Sequence, residues 1–352
     1  MIQRRQFLGS IVAFTATTTL LPRYSMGAIV PGDLDWQCDV IETVPHNRTL
    51  RSPVVTDLSL QPTGDLLAIV GDDHYVCIYD TAKRQFTEHL DRHTDWVRTA
   101  RFSPNGTRLA TAGNDRTILV WNVDDWTLPA FSKRNPEAII DLAFSRDGSR
   151  IATVGFESTL RLFDVATGDQ LEQLYCPCPD NHAVAFSNND RLLAVGGRSG
   201  VIRVWDLQAG RQLKDIKVHR QRIRSLEFTD DNRILSASDD QLVKLTDPDE
   251  PKAISSLPRH ASKLYSTALL SQGMFATGGS DNLIHIWQLS DLKELGTLKG
   301  HTGTVSCLDY SRSTLVSGSY DTHVRLWRTE QNTSAPRQRH TQLDNGWSQR
   351  LN

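Results

Sequence analysis

Residues 93–121 read HTDWVRTARFSPNGTRLATAGNDRTILVW. Positions 96–102 alternate as a half-buried strand does, and Ser103-Pro104-Asn105-Gly106 has the composition of a tight turn. A second strand is expected over 109–112, a third over 117–121, and a fourth after the tryptophan. The turn recurs as Gln61-Pro62-Thr63-Gly64, Ser145-Arg146-Asp147-Gly148, Ser187-Asn188-Asn189-Asp190 and Thr229-Asp230-Asp231-Asn232, always between the first two strands of a unit.

The residue closing the third strand recurs at Tyr79, Trp121, Phe163, Trp205, Thr246, Trp287 and Trp327, at spacings of 42, 42, 42, 41, 41 and 40. A period near forty with several short strands per unit means radial blades that pack on their neighbours. The chain is therefore expected to be all-β, a seven-bladed β-propeller of four-stranded blades over residues 36–328, despite a length that alone would allow two domains. The last unit stops at its third strand, 324–327, while 39–44 is a strand without a unit. Pairing them completes one blade and removes two open edges.

At 39% apolar and 23% charged residues, the composition is that of an ordinary globular chain. The formal charge is −2, and a chain beginning at Ile29 would carry −5, because the first 28 residues contain Arg4, Arg5, Arg23 and no acid. That balance argues against a general nucleic-acid binder. The basic residues are scattered, so no polybasic footprint for anionic membranes is present.

Residues 1–28 read as an address: Arg4-Arg5, a weakly apolar stretch too short for a membrane span, Pro22, then Ser25-Met26-Gly27-Ala28. Arg4-Arg5-Gln6-Phe7-Leu8 resembles the bacterial twin-arginine export signal, although Gln3 and Gly9 depart from its preferred flanks. The resemblance implies a periplasmic or cell-envelope protein whose first partner is the export machinery of the inner membrane. Cleavage near Gly27 or Ala28 and retention as an anchor both remain open, as does a disordered N-terminus that merely contains two arginines. The tail, 329–352, is polar and aperiodic and reads as flexible, with a strap anchored by Trp347 as the alternative.

Gly300-His301 before a first strand and Trp205-Asp206 at the end of a third give the chain its resemblance to the WD-repeat family, over roughly residues 36–328. In that family a Trp, a Ser or Thr, a His and an Asp form a hydrogen-bonded chain inside each blade. The resemblance implies such tetrads at His93, Thr111, Asp115 and Trp121, at His260, Thr277, Asp281 and Trp287, and at His301, Ser317, Asp321 and Trp327. Blade five keeps His219, Ser236 and Asp240 but has Thr246 for Trp. Blade one keeps Asp73 with Tyr79, blade three has Asn135, Thr153, Glu157 and Phe163, and blade four has Pro177, Val195 and Ser199 beside Trp205. Repetition makes these groups structural rather than hydrolase triads.

Such propellers commonly bind on the face bearing the loops into each first strand and the turns before the conserved Asp. On it lie Trp96, Phe156, Arg198, Arg220, Arg222 and Tyr320, with Lys263 nearby. Exposed aromatics and arginines are the residue types of binding hot spots, and the arginines suit an acidic peptide or carboxylate-bearing partner. A solvated rim without a partner is the plain alternative.

Cys176-Pro177-Cys178 with His182 offers soft-metal ligands or a redox dithiol, but two thiols and one imidazole are too few for a closed zinc site. A loop stiffened by Pro177 and Pro179, its thiols packed inward, is the leading reading. No phosphate-binding loop, nucleophile elbow or zincin motif occurs in the sequence. The expected function is a non-catalytic, monomeric protein-interaction scaffold with no cofactor. The competing class is an exported propeller enzyme, which carboxylates or histidines converging on the central channel would support.

Overall fold

The computed structural model describes residues 36–43, 51–250, 254–257 and 259–329. Its strands form seven four-stranded antiparallel sheets arranged as a β-propeller. Blades 1 to 6 span 55–90, 97–134, 139–175, 181–217, 223–256 and 264–298. Blade 7 joins 305–329 to the N-terminal strand Trp36–Glu42, which runs antiparallel to His323–Thr329 with Trp36 opposite Thr329 and Glu42 opposite His323. The expected closure is thus present, with its first strand starting three residues earlier than the sequence indicated. The proposed leader, 1–28, and the tail, 330–352, lie outside the described residues.

Each seam between blades holds its own apolar cluster, so the core is a ring of seven rather than one mass. Trp121, Trp205, Trp287 and Trp327 are buried in these seams. Four of the five expected strand-linking turns close through a left-handed fourth residue; Gly64, in the first, does not take that conformation. Gly106, Gly148, Asp190 and Asn232 take left-handed φ of 70°, 73°, 57° and 61°, and their N–H groups donate to Ser103, Ser145, Ser187 and Thr229 carbonyls. Glycine takes that conformation freely, and Asn and Asp tolerate it.

In blade 2, His93 Nδ1 lies 2.8 Å from Asp115 Oδ2, His93 Nε2 2.9 Å from Thr111 Oγ1, and the Trp121 indole donates to the same hydroxyl at 3.2 Å. Blade 7 repeats this through Asp321, His301, Ser317 and Trp327 at 2.9, 2.7 and 2.9 Å. Blade 5 keeps the first two links, His219 to Asp240 at 3.0 Å and to Ser236 at 2.9 Å. These chains satisfy polar groups that burial would otherwise leave unpaired.

Blade 6 departs from the expected tetrad. Trp287 donates to Thr277 at 3.1 Å, but Asp281 is taken by His285, whose Nε2 lies 3.1 Å from Oδ2, while buried His260 Nε2 has no hydrogen-bond partner. The cause is the residue two before the tryptophan. In blade 2 it is apolar Leu119, which cannot compete for the carboxylate; in blade 6 it is an imidazole. Arg161 does the same in blade 3, binding Glu157 at 3.0 and 2.7 Å.

Candidate functional site at the channel mouth

The seven innermost strands surround a central channel with a cavity of about 1160 Å³. Each of these strands slips register at its second residue, as between Val97 and Thr99 or between Ile223 and Ser225. A β-bulge of this kind re-aims the extra side chain. The residues so displaced are Thr56, Arg98, Ile140, His182, Arg224, Tyr265 and Ser306, and all seven line the cavity. The bulges therefore build a mouth in which two arginines, a histidine and a tyrosine stand together.

Phe156, Arg222 and Tyr320 line the same cavity, and Trp96 adjoins it beneath Arg98, whose guanidinium carbon sits 4.8 Å from the indole centroid. The three aromatics are well exposed, at 39% for Trp96, 46% for Phe156 and 49% for Tyr320. Phe156 meets the His182 ring edge-on at 6.4 Å, and Tyr320 meets Tyr265 at 6.5 Å. Of the six expected residues, three thus line the cavity, Trp96 touches it through Arg98, and Arg198 and Arg220 are exposed but outside the lining.

The mouth guanidiniums are fixed. Arg224 makes paired bonds to Asp239 at 2.9 and 3.1 Å and lies 5.1 Å over Tyr265. Arg222 donates to Asp180 at 2.6 Å, and Arg98 donates to the neutral amide oxygen of Asn114 at 2.9 Å. His182 Nε2 lies 2.6 Å from Asp180 Oδ1, yet burial, with help from the Arg224 charge, pushes its pKa down to about 4, so it is neutral at pH 7.

The cysteine loop does not form the metal site considered above. Cys176 is buried, donating to Asn181 at 3.3 Å, Cys178 donates to the Pro179 carbonyl, and His182 faces Asp180 and the channel. Among the described residues no group of three His, Cys, Asp or Glu is placed to hold a metal ion. The buried thiol follows from seam packing, in which Cys176 fills a gap beside Leu160, Leu162 and Val184. All five cysteines are unpaired thiols.

Below the mouth the channel does gather carboxylates, Asp57, Asp141, Glu227 and Asp309, around Arg101. Each accepts from a backbone N–H of the next blade: Asp57 from Ala100 at 3.1 Å, Asp141 from Val184 at 3.1 Å, Glu227 from Leu269 at 3.1 Å and Asp309 from Leu60 at 2.6 Å. Asp57 also pairs with Arg101 at 2.5 Å. Burial raises Asp141 to about 6 against the pull of Arg101, and raises Glu227 and Asp309 too. These carboxylates thus clasp blade to blade. Ser59, Ser225 and Ser266 act likewise, accepting from Phe102, Thr267 and Leu308 N–H groups. At the seam between blades 4 and 5 the corresponding residues are Ala183 and Ala185, which cannot accept.

The model of the WD domain, G-beta repeat, matches residues 43–80, 84–122, 130–164, 181–206, 210–247 and 292–328, more than half of the chain. Those segments pass over 248–291, which includes His260 and most of blade 6. Among curated proteins the chain is 41% identical over 58 residues to Mitochondrial division protein 1 of Schizosaccharomyces pombe, covering 16% of this chain and 9% of that protein. It is 31% identical over 113 residues to the Serine-threonine kinase receptor-associated protein of Dictyostelium discoideum, covering 31% and 38%. Against the DENN domain and WD repeat-containing protein SCD1 of Arabidopsis thaliana it is 28% identical over 110 residues, covering 31% and 9%. The alignments thus span no more than 38% of any of these three relatives.

Proposed function

We infer, from the chain's belonging to the WD-repeat family, that it is a non-catalytic platform on which another protein docks at the channel mouth. Propellers of this family generally bind protein partners, and the observation that carries the reading here is the cluster of exposed Trp96, Phe156 and Tyr320 around one opening. Large exposed aromatics in a folded chain mark interaction sites, because leaving them in water costs hydrophobic free energy that a partner recovers. Channel carboxylates committed to backbone N–H groups favour the platform over an enzyme. The platform works as a single ring in the bacterial cell envelope, reached by the twin-arginine route that Arg4-Arg5 supports.

The test is co-purification from the envelope fraction with wild type and a Trp96→Ala/Phe156→Ala/Tyr320→Ala variant of unchanged circular dichroism. A stoichiometric partner retained by wild type and lost by the variant is expected; equal retention by both would remove this face from consideration. Replacing Arg4-Arg5 by Lys-Lys is expected to hold the chain in the cytoplasm.

A further inference from the structure

We propose that the mouth receives a carboxylate-bearing peptide segment of a protein partner, laid across Arg98, Arg222 and Arg224 with an apolar side chain against the rim aromatics. This rests on the platform reading above and names the chemistry of its partner. Three observations carry it.

The charges facing the opening are cationic, although the chain as a whole is slightly acidic. Arg98, Arg222 and Arg224 line the cavity, whereas Asp180 and Asp239, which pair with the latter two, do not, so the counter-charges stand behind the guanidiniums. Among the described residues Arg98 forms no ion pair, nor do Arg198, Arg220 and Lys263 on the surrounding face, and the buried Nε of Arg222 has no hydrogen-bond partner. Donors are therefore in place for an acceptor the chain itself does not supply.

The donors are also held before binding. Stacking on Trp96 and Tyr265 and the paired bonds to Asp239 fix two of the three guanidiniums, so little side-chain entropy is left to lose on association. Finally, the carboxylates below the rim repel an anion that would thread deeper. Acidic side chains of a peptide crossing the opening meet the arginines alone, while a nucleic-acid backbone, with its charge at every step, would face the negative waist as well.

The experiment is selection of a displayed random-peptide library on the full chain, with affinities of the selected synthetic peptides measured by fluorescence polarisation. Peptides combining Asp or Glu with an aromatic or aliphatic residue are expected. Their affinity should fall about tenfold or more in Arg98→Gln/Arg222→Gln, stay within about twofold in Arg211→Gln on an outer strand, and weaken as salt rises from about 50 to 300 mM. Arg98→Lys, which keeps the charge, should retain most of the binding and guards against a folding defect. Peptides that need Trp96, Phe156 and Tyr320 but carry no acidic residue, or ignore the Arg98/Arg222 change, would overturn the acidic-partner inference and leave the platform standing. Selected peptides indifferent to every mouth substitution would overturn both.

Discussion

His285 stands between His260 and the carboxylate that the equivalent histidines of blades 2, 5 and 7 hold. The His260 and His285 rings meet perpendicularly, 89° at 5.2 Å, and His285 bridges Asp281 at 3.1 Å and Glu294 at 2.7 Å. One repeat of the ring thus uses a different proton-bearing side chain to satisfy the same acid.

His260→Leu should therefore cost little, under about 1 kcal/mol, since no hydrogen bond of its Nε2 is lost, whereas His301→Leu should cost about 2–3 kcal/mol by removing the buried links to Asp321 and Ser317. His285→Leu, which installs the blade 2 residue, should let His260 reach Asp281 and Thr277. Urea midpoints and the imidazole NMR signals of the three variants check this; equal losses for His260→Leu and His301→Leu would contradict it.

The pH dependence runs in two directions. Asp141 is raised to about 6, so the folded state holds a proton that the unfolded chain releases near pH 4; its contribution is present below that and is lost as pH rises toward 6. Asp240 is opposite: burial works against its charge, but hydrogen bonds from His219 and the Arg220 N–H hold it down at about 2, so its stabilisation is present above pH 4 and lost as pH falls. Asp141→Asn should remove a fall in stability of about 1–2 kcal/mol between pH 4 and 6, read as a flatter profile than wild type.

The alanine seam should open first. Five seams have an Asp, Glu or Ser accepting from a backbone N–H of the next blade, and between blades 2 and 3 Thr99 donates to Asp141 at 3.3 Å, but Ala183 and Ala185 offer neither link, so amides of Asn181–Phe186 and Ile223–Phe228 should exchange faster than those of Val305–Ser311. Asp309→Ala should bring the blade 7 to blade 1 seam to a similar rate and cost about 2 kcal/mol, because the Leu60 and Tyr310 N–H groups lose their acceptor. Hydrogen exchange with mass spectrometry reads both.

Burial raises the Cys77 thiol to about 12 and raises Cys176 and Cys307 as well. Thiolate is the reactive form. Native alkylation near pH 8 should therefore label Cys178 first, and those three only after unfolding; rapid labelling of Cys307 would mean that the seam it fills is open.

Much of this architecture is legible in the chain itself. The forty-residue period, the Gly, Asp or Asn that turns the hairpins of blades 2 to 5 and the unpaired strands at the two ends belong to local patterns that no long-range contact overrides. The tetrads of blades 2 and 7 follow from residue identity and spacing. Blade 6 departs from its sequence pattern because competition between His260 and His285 for one carboxylate depends on side-chain reach, which spacing does not encode. Half of the mouth is legible: Phe156 and Tyr320 sit in readable turns, but Arg98, Arg224 and Tyr265 reach the opening through bulges that leave no mark in a two-residue alternation. In sequence His182 stands out as a neighbour of thiols, whereas in the fold it is a channel residue.

Pairing of Trp36–Glu42 with His323–Thr329 also sets an order in time. The first described strand to leave the ribosome finds its partner only when His323–Thr329 has been made, so the ring cannot latch before then. Until then the nascent chain is an arc of blades with the blade 1 flank of the final seam uncovered, and its neighbours in the cell meet that flank before blade 7 does.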